Sequence, residues 1–133
     1  MAAKPRNVGG PAGDLPRHLL QCRANANATL DYLIAIDDCA PETDWLVALR
    51  YVPDKLIVEP DALARYVGQL AARDHDGPED IALAILADLN NETVPRWVEV
   101  ACAHRPAPRH RVLVEDRQPN WDNPALLGRL TAW

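Results

Sequence analysis

The residue types that could do chemistry gather in three short stretches. In the first, Cys39-Ala-Pro-Glu-Thr-Asp44, a thiol lies five residues before a carboxylate. A thiol is nucleophilic only as the thiolate, and Asp37, Asp38 and Glu42 would oppose ionisation if they pointed at Cys39. In the second, His75-Asp-Gly-Pro-Glu79-Asp80, carboxylates fall where a helix should begin. Glu79 can complement the positive end of that helix, an effect of about 0.3–1 kcal/mol. His75, a lone imidazole, reads first as a surface or capping residue. The third, 104–111, carries Arg105, Arg109 and Arg111 and is the concentrated basic patch of the chain. Its plainest reading is a solvated hairpin loop, with an anion site as the alternative.

Cys102, His104 and His110 are ligand types for zinc. Strand alternation, however, puts Cys102 and His104 on one face with no matching pair elsewhere, so no metal site is expected. The three cysteines, at 22, 39 and 102, leave an odd thiol in any pairing and have no Cys-x-x-Cys spacing. That argues against a disulfide framework.

The elements that must position these groups follow from periodicity. Pro60 suits the opening turn of a helix, and Leu63, Tyr66, Val67 and Leu70 share one of its faces. A second helix starts at Pro78 with Glu79 and Asp80 in its first turn, and Ile81, Ile85 and Leu89 form its apolar side. Strands are predicted over 30–36, 45–52, 96–102 and 111–115, with Trp45, Val47, Leu49 and Tyr51 on one face of the second. The order ββααββ with short links predicts an α+β fold: an antiparallel sheet carrying both helices on one face.

One domain over 29–124 is expected, preceded by a flexible segment over 1–28 and followed by a tail over 125–133. The Gly- and Pro-rich start has no periodicity, and the terminal Trp133 should pack on a neighbouring element or subunit. The formal charge of −5 argues against nucleic-acid binding through a broad basic surface. No apolar run is long enough to span a bilayer, and the N-terminus lacks the apolar core of a signal peptide; a cytoplasmic protein with no membrane partner is expected.

From about Asp37 to Pro124 the sequence resembles the NADPH-dependent 7-cyano-7-deazaguanine reductases, the nitrile reductases of queuosine biosynthesis in the tunnelling-fold (T-fold) superfamily. The resemblance rests on four ordered landmarks: RYVPDKLIVEP, ARDHDGPED, PRWVEV and PRHRVLVEDRQPNWDNP. It implies a T-fold-like ββααββ unit assembled into a homo-oligomeric ring with sites between subunits. It also implies a small heterocyclic substrate. In that family a cysteine thiolate adds to the nitrile carbon, an aspartate handles the proton, hydride comes from NADPH, and a glutamate anchors the purine-like edge.

Carried onto this sequence, the resemblance makes Cys39 the nucleophile and Asp44 its proton carrier. Glu79, with His75 and Glu59, becomes the substrate-binding set, and Arg109 a cofactor contact. The chain departs from the pattern in several places. The loop from Cys39 to Asp44 is two residues shorter, Pro78 replaces a histidine, and His110 and Arg111 replace two glycines. Where the family has a basic run after the first glutamate, this chain has Pro60-Asp61-Ala62-Leu63-Ala64. A phosphate would meet negative charge there, so the implied NADPH should bind weakly or not at all. The expected function is a nitrile-reductase-like enzyme. The alternatives are a related T-fold enzyme that has lost NADPH reduction, or a T-fold binding protein without catalysis.

Overall fold

The computed structural model describes residues 16–131; the expectations for the first fifteen residues and for Trp133 lie outside them. Strand β1 (Cys22–Ala24) follows a 3-10 turn at Pro16–Leu19. Then come β2 (Ile34–Ile36), β3 (Trp45–Val52), β4 (Leu56–Val58), α1 (Pro60–Ala71), α2 (Pro78–Glu92), β5 (Trp97–His104), β6 (Ala107–Arg117) and α3 (Pro124–Leu127). The fold is α+β. A four-stranded antiparallel sheet of order β2-β3-β5-β6 stands beside a two-stranded sheet, β1-β4.

The ββααββ unit read from periodicity is present, with both helices against one face of the larger sheet. Register couples the faces: Val47 lies opposite Cys102, Leu49 opposite Val100 and Tyr51 opposite Val98. These side chains meet Leu63, Tyr66, Val67 and Leu70 of α1 and Ile81, Ile85 and Leu89 of α2 in a single core. Fully burying an aliphatic side chain of this kind contributes about 1.5–3 kcal/mol. Tyr66 ties the helices together by donating its hydroxyl hydrogen to Asp88 at 2.7 Å.

Three differences from the sequence reading change how the chain enters and closes the sheets. The first strand is only Ile34–Ile36, because the carbonyls before it are taken: the Arg96 guanidinium donates to the carbonyls of Ala28 and of Leu30, the latter at 2.9 Å. The last strand runs from Ala107 to Arg117, longer than expected, since a two-residue turn at Arg105 and Pro106 begins its pairing early. Pro108 is accommodated there because β6 is an edge strand, where a missing N–H breaks no ladder.

The third difference is at the N-terminal boundary, which the sequence puts at 29. The chain joins the fold sooner: Leu20 is buried in the core and β1 pairs Cys22 with Val58. Asn25 is buried but satisfied. It donates to the Asp54 carbonyl at 2.8 Å and accepts from Tyr32 at 2.7 Å and from the Asn27 N–H at 3.0 Å.

The sheet face away from α1 and α2 holds a buried ion pair. Arg50 donates through Nε to Glu99 at 2.7 Å and through Nη1 to the Thr131 carbonyl at 2.8 Å, so residues near the C-terminus reach that face. Among the described residues no helix is long and apolar enough to cross a membrane.

Removing one partner of such a pair strands the other charge away from water. Glu99→Ala is therefore expected to destabilise the fold by about 3 kcal/mol in urea titration. The double change Arg50→Met with Glu99→Leu should recover most of that loss.

Candidate functional site

A cleft of about 580 Å³ opens where the start of β3, the end of β5 and the start of α2 converge. Its base is set by the sheet register, which places Trp45 opposite His104. The two rings pack at 4.9 Å between centroids, and His75 approaches Trp45 edge-on at 6.2 Å. His75 lies in the connection between the helices. Its Nε2–H donates to the Leu70 carbonyl at 2.7 Å, satisfying a backbone acceptor in the last turn of α1.

Glu79 enters from the first turn of α2, where its negative charge suits the helix dipole. Its carboxylate lies back against Gly77: a Cβ at that position would come within 2.8 Å of Glu79 Oε1. The Glu79 side chain is flexible and half exposed, so a larger residue at 77 would require only that this carboxylate swing aside. Glu79 Oε2 faces His110 Nε2 at 3.4 Å. Asp80 accepts from the Asp76 N–H at 3.0 Å and tightens the turn. Negative charge in the cleft also reaches the core beneath it. The Cys102 thiol is pushed up to about 12, first by burial and then by the Glu79 carboxylate.

Of the residues singled out from sequence, the structure brings Glu79 and His75 together in this cleft and leaves Cys39, Asp44, Glu59 and Arg109 outside its lining. Cys39 is only 5% exposed, with its thiol directed at the Ile36 carbonyl, 3.6 Å away. Burial, then the charges of Asp38 and Asp37, push the thiol up to about 12, while its own backbone N–H pulls the other way. At neutral pH it is protonated and enclosed.

The loop that encloses it is folded around Arg105. That guanidinium donates to both oxygens of Asp38 at 2.8 and 3.2 Å, and to the carbonyls of Thr43 at 3.0 Å, Ala40 at 3.2 Å and Trp45 at 3.1 Å. Asp44 is exposed, and its carbonyl accepts from the Arg105 N–H at 2.6 Å. Glu59, at the entrance to α1, is 3.5 Å from Arg23 Nε in an exposed pair. Arg109 is exposed on β6.

Sequence reasoning did not assign Trp45, His104 or His110 to a site with Glu79. A signal for two of them existed, because the alternation that turns Val47 and Cys102 toward the helices also turns Trp45 and His104 that way. His110 had none, because its position depends on an irregularity. Between Ala103↔Arg111 and His104↔Ala107 the ladder skips Pro108, Arg109 and His110, and this bulge carries His110 to Glu79.

Among the described residues no group of three or more histidine, cysteine or acidic side chains is arranged to hold a metal ion. A smaller cavity of about 250 Å³ lies on the opposite sheet face between Leu46, Ala48, Ala101 and Ala103, with Asp37, Asp38 and Arg111 at its edge. A scan against protein-family models finds none that matches the chain, and a search of curated proteins finds no match.

Two thiols held neutral in the fold make stability depend on alkaline pH. Their folded values of about 12 exceed the ordinary 9.0, so their contribution is complete below about pH 9 and falls as pH rises toward 12, where the unfolded chain releases the protons first. The expected slope is about 1.4 kcal/mol per pH unit for each thiol. Urea midpoints across pH 9 to 12 should decline less steeply in Cys39→Ala and in Cys102→Ala than in the parent chain. Equal slopes would show that the thiols are not buried in solution.

Proposed function

We propose that the cleft at the start of α2 binds a planar, nitrogen-bearing heterocycle of the deazapurine class, with Glu79 accepting its N–H groups and Trp45 flanking it. The observation that carries this reading is the placement of a carboxylate, half exposed at 51%, beside an aromatic base in a cleft of small-molecule size. The resemblance to the nitrile reductases supports it independently, because Glu79 is the residue that matches their anchoring glutamate.

Within that resemblance the chain is a T-fold-like protein that keeps the anchor and has left the cysteine–NADPH chemistry. Covalent capture by Cys39 requires a thiolate facing the bound ligand, whereas this thiol is protonated and outside the cleft. Asp61 opens α1 where a cofactor phosphate would need cations.

Assembly belongs to the same proposal. Among the described residues β6 is an eleven-residue edge strand with no strand on its outer side, and such an edge pairs readily with another copy. Because β6 begins at Ala107, on the cleft rim, pairing along it would set the cleft at a subunit junction.

Calorimetric titration with 7-cyano-7-deazaguanine should give binding that Glu79→Gln weakens by about 1.5–3 kcal/mol, the range for a hydrogen bond to a charged group. NADPH should give no heat. Protein mass should stay unchanged after incubation with the nitrile. An adduct lost in Cys39→Ala would return the cysteine to the mechanism and overturn this reading.

Light scattering at micromolar concentration should report a closed oligomer, and a proline at Val114 in β6 should shift it toward smaller species. A monomeric parent chain would remove the junction.

A further inference from the structure

After β6 the chain turns back across the sheet face that α1 and α2 leave uncovered. Trp121 and Asn123 donate to Asp31 at 3.1 and 3.0 Å, at the end of the sheet where Arg96 binds the same aspartate. By Thr131 the chain has moved inward along that face, and its carbonyl accepts from Arg50 at 2.8 Å. Arg50 lies opposite Glu99, and the next pairs on this face are Ala48 opposite Ala101 and Leu46 opposite Ala103. Those four side chains line the cavity of about 250 Å³, and Leu113, 54% exposed, stands beside Ala101 on β6. The path of the chain points at the cavity from one pair away.

Two extended residues span about 7 Å, and the step from Arg50 to Ala48 along β3 covers the same distance. Position 133 can thus come level with Ala48 and Ala101, and it is a tryptophan. We infer that the side chain of Trp133, a residue outside the described ones, is the occupant of this cavity in its own molecule, with its ring against Ala48, Ala101 and Leu113 and its Nε1–H turned to a carboxylate at the rim. The fit is one of size and of polarity. An apolar cavity of roughly 150 Å³ takes a benzene ring. One of about 250 Å³ has room for the larger indole. A buried indole N–H needs an acceptor, and Asp37, exposed at the cavity edge, supplies it. Seated there, Trp133 covers this part of the sheet with the chain's own side chain and joins the segment after α3 to the loop that begins at Asp37.

Methyl NMR of the full chain is the test. In the parent chain nuclear Overhauser contacts should join the Trp133 ring to the Ala48 and Ala101 methyls, and the ring current should hold those methyl signals upfield. In Trp133→Ala the signals should move back downfield. Added indole should then bind the emptied cavity and restore their upfield positions, whereas the same concentration of indole should leave the methyls of the parent chain unmoved. Ala48 and Ala101 signals that are identical in Trp133→Ala and in the parent would overturn the inference. Contacts seen only between differently labelled chains in a mixed sample would overturn it too, and would give the cavity to a second copy. Indole that moves the methyls equally in both proteins would mark the cavity as open to free ligands and remove Trp133 from it.

Discussion

The register between β3 and β5 is the constraint on which the rest depends. Eight consecutive pairs, from Trp45↔His104 to Val52↔Trp97, join the two central strands. A slip of one residue would turn every side chain to the opposite face. Val47, Leu49 and Tyr51 would leave the helices, and Arg50 and Glu99 would be driven into the apolar layer. Trp45 and His104 lie at the end of this ladder, so the cleft base inherits its geometry from the core. Apolar burial holds the register along most of the strand, and the cleft exists where the helices no longer cover it.

Chemistry in this chain is divided by charge and exposure. The two buried thiols are kept neutral by desolvation and by nearby carboxylates, Asp38 and Asp37 for Cys39 and Glu79 for Cys102. The ionisable side chains that line the cleft are carboxylates and imidazoles. Arg105 sustains the division: one guanidinium collects carbonyls from three residues of the loop together with the Asp38 carboxylate, closing the loop over Cys39 and delivering the chain to Trp45. Asp38 takes a left-handed conformation, with φ of 48°, at the point where the loop turns toward that cation. A loop fastened in this way presents its acids and hides its sulfur.

A second arginine does similar work at the far end of the sheet. Arg96 reaches Asp54 at 3.1 Å and Asp31 at 3.2 Å, as well as the carbonyls that shorten β2. Trp121 and Asn123 converge on Asp31 at 3.1 and 3.0 Å, and Gln118 donates to Asp54 at 2.9 Å. Segments from both ends of the chain are thus joined by polar contacts outside the hydrophobic layer. Both ends of the sheet are thus tied by an arginine, and the cleft opens beside the loop that Arg105 fastens.

Periodicity in the sequence determined the layers. Three-and-four spacing from Leu63 to Leu70 and from Ile81 to Leu89, proline at both helix starts, and alternation from Trp45 to Tyr51 each repeat a local geometric rule, so they are readable without the fold. The placing of Glu79 and His75 at one site came instead from the family resemblance, and both do line the cleft. The β1–β4 pairing, the Arg96 and Arg105 hubs, the enclosure of Cys39 and the bulge that carries His110 to Glu79 were decided only in three dimensions. Each joins residues distant in sequence, and each turns on desolvation or on where backbone acceptors lie. Residue type alone could nominate Cys39 as a nucleophile; burial decided that its thiol stays protonated and faces away from the cleft.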